Sequence, residues 1–126
     1  MDFLSNNIRS GDLAPVLLGY SATADKIAHR LFHRYRLISH VFCERMPFRK
    51  RFSLSMKFHI IHGFSYDELL LSALEDFADT VRNTDVILCL IPATERAASL
   101  VDRHRERLES RYVIASPDAI RNPALL

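Results

Sequence analysis

Asp85-Val-Ile-Leu-Cys-Leu-Ile91 is apolar at every position after its first residue, and Pro92 follows it. A run this short and this uniformly apolar reads as a strand covered on both faces, the pattern of a central strand in a parallel sheet. The neighbouring segments have a different period. Upstream, Ser65-Tyr66-Asp67-Glu68 places Ser and Glu at capping-box spacing. Behind it, Tyr66, Leu70, Ala73, Leu74, Phe77 and Val81 form one apolar helix face, and Asn83-Thr84 ends the helix. Downstream, Pro92 is expected to stop the strand. Thr94 is expected to cap a further helix, with Glu95 in its first turn, where the helix dipole favours an anion. Ala97, Val101, His104 and Leu108 of that helix face inward, and Tyr112–Ala115 is a last short strand.

The N-terminal half repeats the alternation. Pro15-Val-Leu-Leu-Gly-Tyr20 is a short apolar strand closed by Gly19 and a Ser/Thr turn. Ala24, Ile27, Ala28, Leu31 and Tyr35 then fall on one helix face, with Asp25, Lys26, His29, Arg30, His33 and Arg34 opposite. Leu37–Cys43 is a second strand and Met56–Ile61 a third, where Met56, Phe58 and Ile60 alternate with Lys57 and His59. The order β-α-β-β-α-β-α-β predicts an α/β fold. The expected architecture is a small Rossmann-like three-layer sandwich, with a mostly parallel sheet of about four to five strands and helices on both faces. Residues 1–13 are expected to be a flexible arm, 14–116 the domain, and 117–126 a tail or linker.

A chain of 126 residues is one domain's worth. It is short for an enzyme that must build a nucleotide site, a substrate site and a lid. With Lys and Arg at 17 against Asp and Glu at 15, the net charge of +2 argues against a dedicated nucleic-acid binder. The two cysteines, Cys43 and Cys89, lie in apolar runs and read as buried free thiols. No apolar run approaches the ~20 residues of a membrane span, and no signal-like segment opens the sequence. A reducing, cytoplasmic setting follows.

The turn after the first strand is the first candidate site, because doubly wound sheets bind ligands beyond the carboxyl ends of their strands. Gly19-Tyr20-Ser21-Ala22-Thr23-Ala24 has the form G-x-S-x-x-A. It matches the dinucleotide fingerprint at its first and last positions, and Ser21 stands where the middle glycine would admit a pyrophosphate. Glu44 ends the second strand, near where an acid would meet a ribose hydroxyl. Three readings stay open: a dinucleotide, a simpler phosphate or carboxylate held by backbone N–H groups, or a turn and cap with no ligand. The same residues graze the nucleophile-elbow pattern without its last glycine. His29 and His33 lie one helical turn apart, a spacing that can bind zinc, on a face shared with Arg30 and Arg34; His59 and His62 bracket the end of a strand. Arg45, Arg49, Lys50 and Arg51, interleaved with Phe48 and Phe52, form a basic loop suited to an anion or to a neighbouring domain.

Three stretches together resemble a known family. The segment 15–35 leading into Leu37-Ile-Ser-His-Val-Phe42, the leucine-rich segment 66–79, and Asp85-Val-Ile-Leu-Cys-Leu-Ile-Pro-Ala-Thr-Glu95 with its following helix and Tyr112-Val-Ile-Ala-Ser-Pro117 are similar to the pre-ATP-grasp N-terminal domain of carboxylate–amine ligases. The likeness is to the D-aspartate-ligase and carbamoyl-phosphate-synthase-large-chain-like group. Where those ligases often carry an acid after the corresponding strand, this chain has Pro92-Ala93-Thr94, with Glu95 the nearest carboxylate. The resemblance implies a parent that uses ATP and magnesium to ligate a carboxylate to an amine. In it this domain, inactive alone, packs on a catalytic ATP-grasp domain beyond residues 117–126. Gly19, Tyr20, Ser21, Thr23, Glu44, Thr94 and Glu95 would line one wall of the substrate site. The rival expectation is a stand-alone Rossmann-like nucleotide-sensing regulatory domain. A third is an interaction domain that forms a homodimer through an exposed helix face.

Overall fold

The computed structural model describes residues 13–48 and 53–116. The expected arm (1–12), part of the basic loop (49–52, with Arg49, Lys50 and Arg51) and the expected tail (117–126) lie outside the described residues. Leu13, assigned to the arm, instead opens the first strand.

The elements are β1 (Leu13–Leu18), α1 (Ala22–Tyr35), β2 (Ser39–Cys43), β3 (Met56–Ile60), α2 (Asp67–Thr80), β4 (Ile87–Pro92), α3 (Glu95–Arg103), α4 (Arg105–Glu109) and β5 (Val113–Ile114). The five strands form one sheet in the order β3-β2-β1-β4-β5, and every pairing is parallel. This is a small Rossmann-like three-layer fold. β2 and β3 are parallel although no helix joins them among the described residues. The dozen residues between Cys43 and Met56 supply the length a parallel crossover needs.

Strand alternation divides the core into two layers. Leu17, Val41, Cys89 and Ile91 pack with Ala24, Ile27, Ala28 and Leu31 of α1. Val16, Leu18, Phe42, Leu88 and Leu90 pack on the other face with Leu70, Leu71 and Leu74 of α2, Leu100 and Val101 of α3, and Leu108 of α4. Among the described residues, one helix thus covers one face and three cover the other. β1 is the central strand, flanked by β2 and by β4, which pairs with it from Leu13↔Ile87 through Leu18↔Pro92, and Leu17, Leu18, Leu90 and Ile91 are fully buried.

Several local expectations fail, each for an identifiable reason. Pro92 is the last residue of β4 rather than its terminator. It is aligned with Leu18, and at a strand end its missing N–H breaks no ladder bond. Ser65 does not cap α2. The cap position is Tyr66, which makes no side-chain cap bond and is largely exposed instead of facing the core. Glu68 reaches across to Arg107 at 2.9 Å instead of back to its own helix start. The expected third helix is two helices, broken at His104. That side chain leaves the core to meet the Asp67 carboxylate, with Nε2 and Oδ2 at 3.0 Å. Ion pairs continue this seam between α2 and α3–α4: Arg103 with Asp67, Arg107 with Glu75, and Arg111 with Glu75 and Asp79. These partners hold the Asp67, Glu68 and Glu75 carboxyls below the usual carboxylate range, chiefly through hydrogen bonds from Arg103, Arg107 and His104.

Candidate functional site

β1 and β4 are adjacent, yet the chain leaves β1 toward the α1 face and leaves β4 toward the α3 face. Their carboxyl ends therefore mark the topological switch point, where this architecture leaves a crevice. Gly19 turns the chain at φ +92, a conformation that favours glycine. Its N–H donates to the Phe42 carbonyl at 2.8 Å, and the Ala93 N–H donates to the Leu18 carbonyl at 2.9 Å. A Cβ on Gly19 would lie 2.9 Å from Thr94 Cγ2, so the β4–α3 turn rests directly on the β1–α1 turn.

Ser21 closes the crevice at this point. Its Oγ accepts from the Ala24 N–H at 3.1 Å, which caps α1, and donates to the Ala93 carbonyl at 2.8 Å. Thr94 caps α3 in the same way, accepting from the Ala97 N–H at 3.1 Å. The Ser21 hydroxyl is thereby committed to the protein's own backbone as donor and acceptor, whereas Thr94 Oγ1 acts there as acceptor. Thr23 is half-buried in the first turn of α1. Its amide and that of Ala22 are among the helix-start donors that lack an intrahelical acceptor.

The open space lies to the β2 side of that closure. A cleft of about 400 Å³ is lined on one wall by Gly19, Tyr20 and Thr94. The residues from Cys43 through Pro47 form the other wall, with Phe64 beside them. Glu44 and Arg45 are exposed at the cleft and offer one charge of each sign. The Tyr20 ring is held edge-on against Phe58, with centroids 5.7 Å apart. The Cys43 thiol donates to the Arg45 carbonyl at 3.2 Å, and burial pushes its pKa up, so it stays protonated and is a poor nucleophile.

Of the residues singled out in the sequence, Gly19, Tyr20, Glu44, Thr94 and Arg45 thus share one cleft. Ser21 and Thr23 sit in the turn behind it, and Glu95 is exposed in the first turn of α3 and does not line it. Cys43, Met46, Pro47 and Phe64 were not anticipated. Phe64 had a usable signal, because it follows the carboxyl end of β3 and that end of every strand borders the crevice. A second cleft, of about 380 Å³ beside β5, contains Asp102 and Arg105, which pair with each other at 3.2 Å.

Four of the six histidines form two pairs. His59 does not join His62. Its Nε2 meets His40 Nδ1 on the neighbouring strand at 2.9 Å, and both rings contact Phe77. His29 and His33 are exposed on α1 with ring centroids 4.1 Å apart. Among the described residues no group of three or more His, Cys, Asp or Glu could hold a metal ion. Glu44 is the one carboxylate among the described residues that line the cleft. No helix among the described residues is long and apolar enough to cross a membrane. Comparison of the chain with protein-family models, curated proteins and solved structures gives no match.

Proposed function

We propose that this chain is the N-terminal domain of an ADP-forming ATP-grasp ligase that joins a carboxylate to an amine in the cytoplasm. In this reading the domain packs on the catalytic core and lends one wall to the substrate site. The observation that carries it is the character of the cleft. The cleft pairs a backbone turn with Tyr20, Glu44 and Arg45, groups suited to orienting a zwitterionic or carboxylate-bearing molecule. Its nucleophile candidates are subdued: burial favours the protonated Cys43 thiol, the Ser21 hydroxyl is engaged with the backbone, and Thr94 Oγ1 caps α3. Such a site binds and positions while another domain performs the phosphoryl and acyl chemistry. ATP and magnesium belong to that other domain.

Ser21 also weighs against the rival nucleotide sensor. A dinucleotide pyrophosphate needs the space and the bare backbone that the middle glycine provides. Here the Ser21 side chain fills that space and ties the two turns together.

Amide NMR of the full chain tests both readings. Titration with small amino acids and dicarboxylates is expected to move the Gly19, Tyr20, Glu44, Arg45 and Thr94 signals at millimolar concentration, while magnesium-ATP gives no tight saturable binding. ATP turnover by this chain alone would overturn the ligase-domain reading. A thermal shift with NAD, with none from amino acids, would favour the sensor.

A further inference from the structure

We propose that His29 and His33 form a two-point chelating site on α1 for a borderline divalent transition metal such as Ni²⁺ or Zn²⁺. The inference is independent of the cleft.

The helix fixes the spacing. Residues four apart stack on one face, and histidine at that spacing presents two imidazole nitrogens to one ion. Both side chains are exposed, and their rings already touch, with centroids 4.1 Å apart and planes inclined by 50°. Two metal–nitrogen bonds of about 2.0–2.1 Å at a tetrahedral angle require the nitrogens roughly 3.3 Å apart. Rings in this contact reach that separation by small side-chain rotations. The platform is rigid, because Ala24, Ile27, Ala28 and Leu31 anchor the opposite side of α1 in the core. Phe32 stands edge-on to His33, with centroids 5.7 Å apart, and backs that ring from its other side.

The second histidine pair sharpens the choice. His40 and His59 are already hydrogen-bonded to each other, and their rings pack against Phe42 and Phe77. A metal there would have to break that bond beneath an aromatic cover. His29 and His33 are exposed to solvent, and water completes the coordination shell. Imidazole ligands select zinc, nickel and copper over magnesium and calcium. On the same side of the helix Lys26, Arg30 and Arg34 oppose the cation and Asp25, one turn before His29, favours it, so the affinity is modest and depends on chelation by both rings.

The test is titration of the full chain with Ni²⁺ and, separately, Zn²⁺, followed by calorimetry and by imidazole nitrogen NMR. One ion per chain is expected, with signals moving at His29 and His33 and a metal-dependent rise in Tm. His29→Ala and His33→Ala, both at exposed positions that the fold does not need, should each weaken binding by at least about tenfold. His62→Ala should bind as the parent does. Binding that survives in both single variants, signals that move at His40 and His59 instead, or no binding at millimolar metal would each overturn the proposal.

Discussion

Ser21 and Ala93 stand 72 positions apart in the chain and are joined by a 2.8 Å hydrogen bond from the Ser21 hydroxyl to the Ala93 carbonyl. The same oxygen accepts from the Ala24 N–H. One side chain therefore starts α1 and fastens the turn after β1 to the turn after β4. Ser21→Ala removes the cap and the fastening together and should cost about 1–2 kcal/mol. Urea denaturation should show a lower midpoint at unchanged slope. Ser21→Thr, which keeps the oxygen, should lose much less; equal loss in both variants would mean that the hydroxyl is not the cause.

Gly19 and Thr94 face each other at the same place, with no room for a side chain on Gly19. Gly19→Ala forces a side chain into positive φ and brings its Cβ to 2.9 Å from Thr94 Cγ2. The combined strain should destabilise the fold by about 2–4 kcal/mol. Thr94→Ser keeps the α3 cap and removes the crowded methyl, so in the Gly19→Ala background it should recover part of the loss. Strict additivity of the two changes in a thermal-melt cycle would argue against the contact.

Ser39 is fully buried at the start of β2, and its hydroxyl has no hydrogen-bond partner among the described residues. A buried hydroxyl left unpaired costs more than the methyl that would replace it. Ser39→Ala should therefore raise stability by about 1 kcal/mol, read as a higher urea midpoint. A lower midpoint would show that the oxygen is satisfied in solution.

His40 and His59 predict acid sensitivity. Burial, then the neighbouring His59 and Lys57, lowers the His40 pKa from 6.5 to about 4, and burial with Lys57 lowers that of His59. Folding favours the neutral rings, so their contribution is complete above pH 6.5 and is lost as pH falls from 6.5 toward 4. For His40 alone that difference corresponds to roughly 3 kcal/mol. The salt-bridged Asp67, Glu68 and Glu75 act in a separate, lower window, because their stabilisation fades only as pH drops through the carboxylate range. Urea midpoints measured between pH 7.5 and 4.5 should fall, and His40→Leu should flatten the curve.

The strands and helices were readable where burial alone dictates the pattern. The segment 85–91 announced β4, and the face of Ala24, Ile27, Ala28 and Leu31 announced α1, because a two-sided strand and an amphipathic helix leave unmistakable periods. Gly19, Tyr20, Glu44 and Thr94 could be grouped because strand order fixes which ends meet. Cross-chain polar contacts overrode local sequence rules elsewhere. Glu68 carries a capping-box position, but a guanidinium on α4 competes for its carboxylate. His104 fits the apolar face of a continuous helix, and Asp67 draws it out. The partner of His59 was His40, which lies diagonal to it across the β2–β3 register, Phe42↔His59 and His40↔Lys57, a placement that no local pattern encodes.

The sheet order has a consequence in time. β1 is the first made of the five described strands, yet it lies in the middle of their sheet. Its β2 neighbour follows within the next turn and helix, whereas its other neighbour, β4, is synthesised only at Ile87–Pro92. Until then one edge of the apolar β1 has nothing to pair with, and an unpaired hydrophobic edge is a template for other chains. A nascent or truncated chain that stops short of residue 87 should be aggregation-prone, and the arrival of β4 is the step that makes the molecule safe to release.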